Sequence, residues 1–306
     1  MMKQAIAALV AGAALTGAHA EPLNKAAVAE DAKWILHLDL EAFRGTQLGK
    51  YFMGEVVEPK VAEVKQQGMN FEIHPRNIQS ITAYGPKFGN DKEGALLIKT
   101  SADTKKDIDA LSGLLALDGN DATEVARSQD EPYALYQVNR DFFVAPNVEG
   151  HLVLAKSKEQ IDRAREVLTG GRANLAGGKA FAGFPAVENT FFFLGVAEGF
   201  NEQAQVPPQA QVLKETDGGR LVVGEQGENL FVNLVFRGKS PESTTKIQQV
   251  LQGIVALVSM TQNNPEITAL ASGTKIATEK DNVTVSLNIP VRQAIDKIKE
   301  REDNKE

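Results

Sequence analysis

The chain contains no cysteine. That excludes a disulfide framework, a thiolate zinc site and a cysteine nucleophile. A chain of this length buries a sufficient core without such staples. Basic residues are outnumbered, 33 Lys and Arg against 40 Asp and Glu, for a net charge of −7. An acidic balance argues against nucleic acid or an anionic membrane surface as the main partner. Beyond the first twenty residues, Val250 to Met260 is an apolar run, and it is too short to span a bilayer, which needs roughly 20 residues. It reads as a core helix.

The common catalytic signatures are missing as well. No G-x-S-x-G elbow occurs. His37, His74 and His151 are the histidines beyond the first twenty residues, and no two stand at the i, i+4 spacing of a metal helix. Gly177-Gly178-Lys179-Ala180 resembles a phosphate loop, but Ala173 stands where its first glycine is required and Ala180 where Ser or Thr must hold magnesium. No dinucleotide fingerprint follows a strand, and no acidic loop has the calcium order of ligands. The sequence therefore assigns no catalytic residue, no metal ligand and no cofactor.

What is present begins with an export pattern. Lys3 gives a short positive region, Ala5 to Gly17 an apolar stretch, and Ala18-His19-Ala20 the small-x-small site read by signal peptidase. This layout predicts a secretory signal over 1–20, cleaved after Ala20, and a periplasmic or secreted protein with no transmembrane segment in its mature chain. No cysteine follows the site to carry a lipid anchor.

Short strands and helices then alternate. Trp34, Leu36, Leu38 and Leu40 face one way and Ile35, His37 and Asp39 the other, which predicts a strand with the leucine face buried and a polar outer face. A helix is expected from Thr46 to Gln67, kinked or divided at Pro59. Strands follow at Ile78 to Tyr84 and Ala95 to Lys99, a helix after Ser101 or Asp103, and further strands up to Leu152 to Ala155. Ser157-Lys158-Glu159-Gln160 is a capping box, and the helix it opens ends at Gly170-Gly171.

After a Gly- and Ala-rich stretch the order restarts. Phe191 to Leu194 reads as a strand buried on both faces, and Asn201 to Gln211 as a polar loop. Leu221 to Val223 and Leu230 to Phe236 form a hairpin. Pro241 opens a helix whose core face is Ile247, Val250, Leu251, Ile254, Val255 and Val258. Lys275 to Thr278 and Val283 to Leu287 form a second hairpin, and a last helix starts at Pro290. Leu97-Ile98-Lys99 matches Val235-Phe236-Arg237, and Leu154 to Ser157 matches Leu287 to Pro290, each followed by a helix. The expected fold is α+β, two similar halves of mostly antiparallel sheets with helices packed on one face. The halves cover 21–169 and 190–300, joined by 170–189 and followed by a solvated tail, 301–306.

Three clusters invite a chemical reading. His37 and Asp39, two apart on a strand, point the same way and could share a metal or a proton; the alternation itself makes them a polar outer face. Ser243 with Lys246, and Ser272 with Lys275, have the spacing at which an amine can activate a hydroxyl on a helix. Phe142, Phe143, Phe181, Phe184, Phe191 to Phe193 and Phe200 gather around the connection between halves, as an apolar groove or as core joining the halves.

The stretch Ala29 to Lys50, with Ala-Glu-Asp-Ala leading into Trp-Ile-Leu-His-Leu-Asp-Leu and ending in Thr-Gln-Leu-Gly, resembles the opening of uncharacterised secreted bacterial proteins with a domain-of-unknown-function repeat. Gln47 stands where those proteins have Pro. The resemblance implies export and an α+β fold, and no functional residue. The expectation is an exported, non-enzymatic protein that binds an unknown protein or small ligand in the cell envelope. The alternatives are a carrier or chaperone for apolar cargo, and an exported hydrolase of unfamiliar type.

Overall fold

In the computed structural model, residues 22–66, 75–87, 93–101, 125–129, 133–138, 142–187, 189–199, 214–260 and 265–303 are described. The leader, the helix expected after Ser101, His74, Phe200 and the loop from Asn201 to Gln211 lie outside them. One continuous sheet of 12 strands forms the body of the molecule, in the order β11-β12-β10-β9-β8-β1-β2-β3-β7-β6-β5-β4. The first half supplies β1 (Trp34–Asp39), β2 (Ile78–Gly85), β3 (Ala95–Thr100), β4 (Val125–Gln129), β5 (Leu135–Val138), β6 (Phe142–Val148) and β7 (His151–Ala155). The second supplies β8 (Phe193–Glu198), β9 (Thr216–Gln226), β10 (Asn229–Gly238), β11 (Lys275–Glu279) and β12 (Asn282–Pro290). Every described pairing is antiparallel.

The α+β class expected from the sequence is what the chain adopts. The two halves meet at β1 and β8, with Trp34 opposite Ala197 and Leu38 opposite Phe193. From that seam the order runs outward alike on both sides, β1-β2-β3-β7 one way and β8-β9-β10-β12 the other.

Between β1 and β2 the chain is helical: α1 (Leu40–Gly45), α2 (Gln47–Tyr51), a π-helical turn Phe52–Val57, and α3 (Glu58–Gln66). Asp39 starts α1, its carboxylate accepting from the Ala42 N–H at 2.8 Å. The π turn lies just before Pro59, whose ring cannot donate to a regular helical ladder. Helix α4 (Lys158–Leu168) is capped by the Ser157 hydroxyl, which accepts from the Gln160 N–H. It ends before Gly170, whose φ of 77° only glycine adopts without strain. The second half carries α5 (Pro241–Ser259), α6 (Pro265–Gly273) and α7 (Val291–Asp303).

Register assigns every strand residue to a face. One face carries Ile35, Tyr84, Leu97, Val153 and Val196; α4 packs on it through Ile161, Ala164 and Val167, together with Val28 and Ala29 from the segment before β1. The opposite face carries Ile81, Ile98, Leu152 and Val144 in a second cluster. A third cluster lies on that same face, where Leu38, Phe193, Leu230 and Ile289 meet Phe43 of α1 and Val291 and Ile295 of α7. The helices thus divide between the two faces of a single sheet.

Two burial expectations are overturned. In β1 it is Ile35, His37 and Asp39 that are buried, at 0%, 1% and 1% exposure, while Leu36 is 49% exposed. The reason is tertiary: α4 and the N-terminal segment roof the first face near Ile35, and the polar side chains on it find partners. The second concerns α5, read as a core helix. Ile247 is buried, but Val250 and Ile254 are 38% and 43% exposed. Its N-terminal part packs against β9 to β12, and its apolar stripe continues past that contact.

Candidate functional site: an open apolar trough

The exposed Leu36 marks the site. Two cross-strand rows run over the open face of the central strands. One joins Leu36, Gly195, Leu221 and Leu234, and the next joins Trp34, Ala197 and Gly219. Within these two rows the middle strand β8 contributes only Gly195 and Ala197, so the surface sinks between β1 and β9. Trp34 and Leu36 of β1 form one wall; Leu221 and Leu234 form the other. Phe193 closes one end, since a Cβ on Gly195 would stand 3.6 Å from its ring and 3.3 Å from Leu36. The trough has a volume of about 200 Å³.

Trp34 is fixed from two sides. Its indole N–H donates to the Lys87 carbonyl at 3.0 Å. The ring lies against Gly85 and Gly94, where an added Cβ would come within 2.8 and 3.2 Å of it. Bare glycine backbone at these two positions therefore leaves the room that the indole occupies.

No ionisable side chain from either row enters the trough. Arg220, between Gly219 and Leu221, turns to the other face, where its guanidinium donates to the Pro185 carbonyl and stands 5.9 Å from the Phe184 ring. Burial lowers its pKa below the usual arginine value. Arg237 flanks Phe184 at 5.2 Å and pairs with Glu198 and Asp217. These contacts fasten the connection between halves onto the sheet.

The sequence candidates fall elsewhere. His37 shares a 2.8 Å hydrogen bond with Thr82 on the roofed face, and Asp39 caps α1. Nearby Arg44 donates to the Ile78 carbonyl; burial lowers its pKa, opposed by Glu41 and Asp39. His151 is buried, its Nδ1–H donating to the Glu149 carbonyl at 2.9 Å. Among the described residues no cluster of His, Asp and Glu is placed to hold a metal. The Ser243 hydroxyl donates to Glu215 at 3.1 Å, while Lys246 turns to Glu242. Ser272 donates to the Thr268 carbonyl of its own helix. Neither serine faces its lysine.

The phenylalanines do not gather. Phe143, Phe181 and Phe184 pack on the first cluster, Phe142 on the second, and Phe192 and Phe193 in the third. Sequence reasoning missed the trough, although a signal existed. Gly195 within Leu194-Gly195-Val196, and Gly219 before Arg220-Leu221, are glycines inside strand patterns, which mark places where a side chain is dispensed with.

No family model matches the chain, and no curated protein matches it. It is similar in fold to solved structures of a protein named TP0453. Crystal form IV matches at 13% identity and a TM-score of 0.49, covering 92% of this chain and 97% of that one. Crystal form III matches at 10% identity and a TM-score of 0.49, covering 89% and 96%. Likenesses at this level transfer no ligand, partner or activity. No described helix is long and apolar enough to cross a membrane.

Proposed function

We propose that this protein is exported to the cell envelope and there holds an alkyl or acyl chain in the trough along β8. The observation that carries the reading is Leu36, 49% exposed on a central strand beside the glycine floor. A central strand normally buries its large apolar side chains. An exposed one over a lined depression marks a binding surface. The dimensions favour a flexible chain. The volume falls below the roughly 300–1,000 Å³ of pockets for drug-sized ligands. The walls offer methyl groups and one indole.

Export rests on the tripartite leader, and binding rather than chemistry rests on the apolar lining. N-terminal sequencing of the envelope-fractionated protein should start at Glu21; a chain that keeps Met1 contradicts export. Titration calorimetry with a medium-length fatty acid should give one saturable site with a negative heat-capacity change, the mark of apolar burial. A folded protein that releases no heat and shows no saturation contradicts the binding reading.

A further inference from the structure

Among the described residues the sheet ends at β11, which pairs with β12 on its inner side, from Lys275 opposite Ser286 to Glu279 opposite Asn282. Four of its five residues, Lys275, Ala277, Thr278 and Glu279, are exposed. An edge strand presents a row of backbone N–H and C=O groups and is a template for another strand. The sequence of this one, Lys-Ile-Ala-Thr-Glu, is complementary to itself reversed. Laid antiparallel on a second copy about Ala277, Lys275 of each chain falls opposite Glu279 of the other. Ile276 then meets Thr278, and Ala277 meets its own counterpart.

Residues 275, 277 and 279 share one face of the strand. Both charge pairs therefore form on one side, directly across the joint, where opposite charges attract and like charges repel. A parallel pairing in register would set Lys275 on Lys275 and Glu279 on Glu279. The charge pattern selects the antiparallel, twofold arrangement. A self-complementary patch of this kind is what a twofold dimer requires. The same end of the sheet bears α5, which packs on β11.

We propose that the chain forms a twofold dimer by antiparallel pairing of β11 with β11, so that the sheet runs from one copy into the next. The partner is a second copy of this chain, and the proposal is independent of what the trough binds. The test is sedimentation equilibrium of the mature protein and three charge variants at micromolar concentration. Wild-type protein should dimerise. Lys275→Glu and Glu279→Lys should each weaken dimerisation by roughly tenfold or more, because the symmetry repeats each like-charge clash twice. The double variant Lys275→Glu/Glu279→Lys restores both pairs with their signs exchanged and should dimerise within a few fold of wild type. A monomeric wild type overturns the proposal. So do single variants that stay dimeric, or a double variant that stays apart while its circular dichroism matches wild type.

Discussion

The two faces of β1 differ more than its sequence suggests. On one, Ile35, His37 and Asp39 are roofed; on the other, Leu36 stands beside a floor of glycine and alanine. Polar groups are buried where partners receive them, and an apolar group is left open where neighbours have no side chains. The contrast teaches that this sheet uses its faces for separate purposes. The roofed face holds the halves together through α4 and the connection, and the open face leaves apolar surface uncovered around Leu36.

Substitutions at adjacent positions test that division most strongly. Ile35→Ala removes a side chain with no exposure and should cost about 3 kcal/mol in chemical denaturation, as core truncations do. Leu36→Ala, one residue on, should cost less than about 1 kcal/mol, as surface changes do, yet weaken acyl binding. Equal losses of stability at the two positions would break the comparison.

Alkaline unfolding sharpens it next. Tyr84, on the roofed face, is 5% exposed and its hydroxyl has no hydrogen-bond partner among the described residues. Burial is the main reason its pKa rises from 10.0 to about 12, with Arg163 opposing and Asp31 adding. Above pH 10 the unfolded chain loses this proton and the folded chain keeps it. Tyr84 thus leaves stability intact below pH 10 and removes roughly 2–3 kcal/mol between pH 10 and 12. Tyr84→Phe should lessen that fall. Part remains, because burial and a hydrogen bond to Asp162 also raise the pKa of Tyr133. At neutral pH the same variant should be as stable as wild type or more so, since it deletes an unpaired buried hydroxyl. A pH profile unchanged by Tyr84→Phe would remove this tyrosine from the account.

A smaller effect is expected at the polar pair. Thr82→Val strips His37 of its hydroxyl partner and should cost about 1–2 kcal/mol, the penalty for a buried group left unsatisfied. No loss in a thermal melt would mean that the His37–Thr82 bond is dispensable.

Much of the architecture was legible in the sequence. Period-two alternation located β1, and the turn formers between Tyr84 and Ala95 separated β2 from β3. Ser157 and Pro241 marked the starts of α4 and α5, and Gly170 the end of α4. The matching of Leu97 to Lys99 with Val235 to Arg237 identified β3 and β10, which hold the same place on either side of the seam. What could not be read was which face is covered. Alternation states that Leu36 and His37 point apart, but burial depends on what lands on each face, and that is decided by residues distant in the chain. The same limit explains α5, whose apolar stripe implied burial along its whole length although its packing against the sheet ends early. Runs of phenylalanine looked like one cluster because neighbours in sequence seemed neighbours in space; Phe142 and Phe143, on opposite faces of one strand, join different clusters.

The most direct measurement uses Trp34, the single tryptophan of the chain and a wall of the trough. A fatty acid brominated along its chain quenches an indole it touches. Titrated into the folded protein, it should quench Trp34 fluorescence saturably at one site, and Leu36→Glu, which sets a charge in the apolar wall, should abolish the effect without unfolding the chain. Absence of quenching in the folded wild-type protein, or quenching that Leu36→Glu leaves intact, would contradict the assignment of the open face to an apolar ligand.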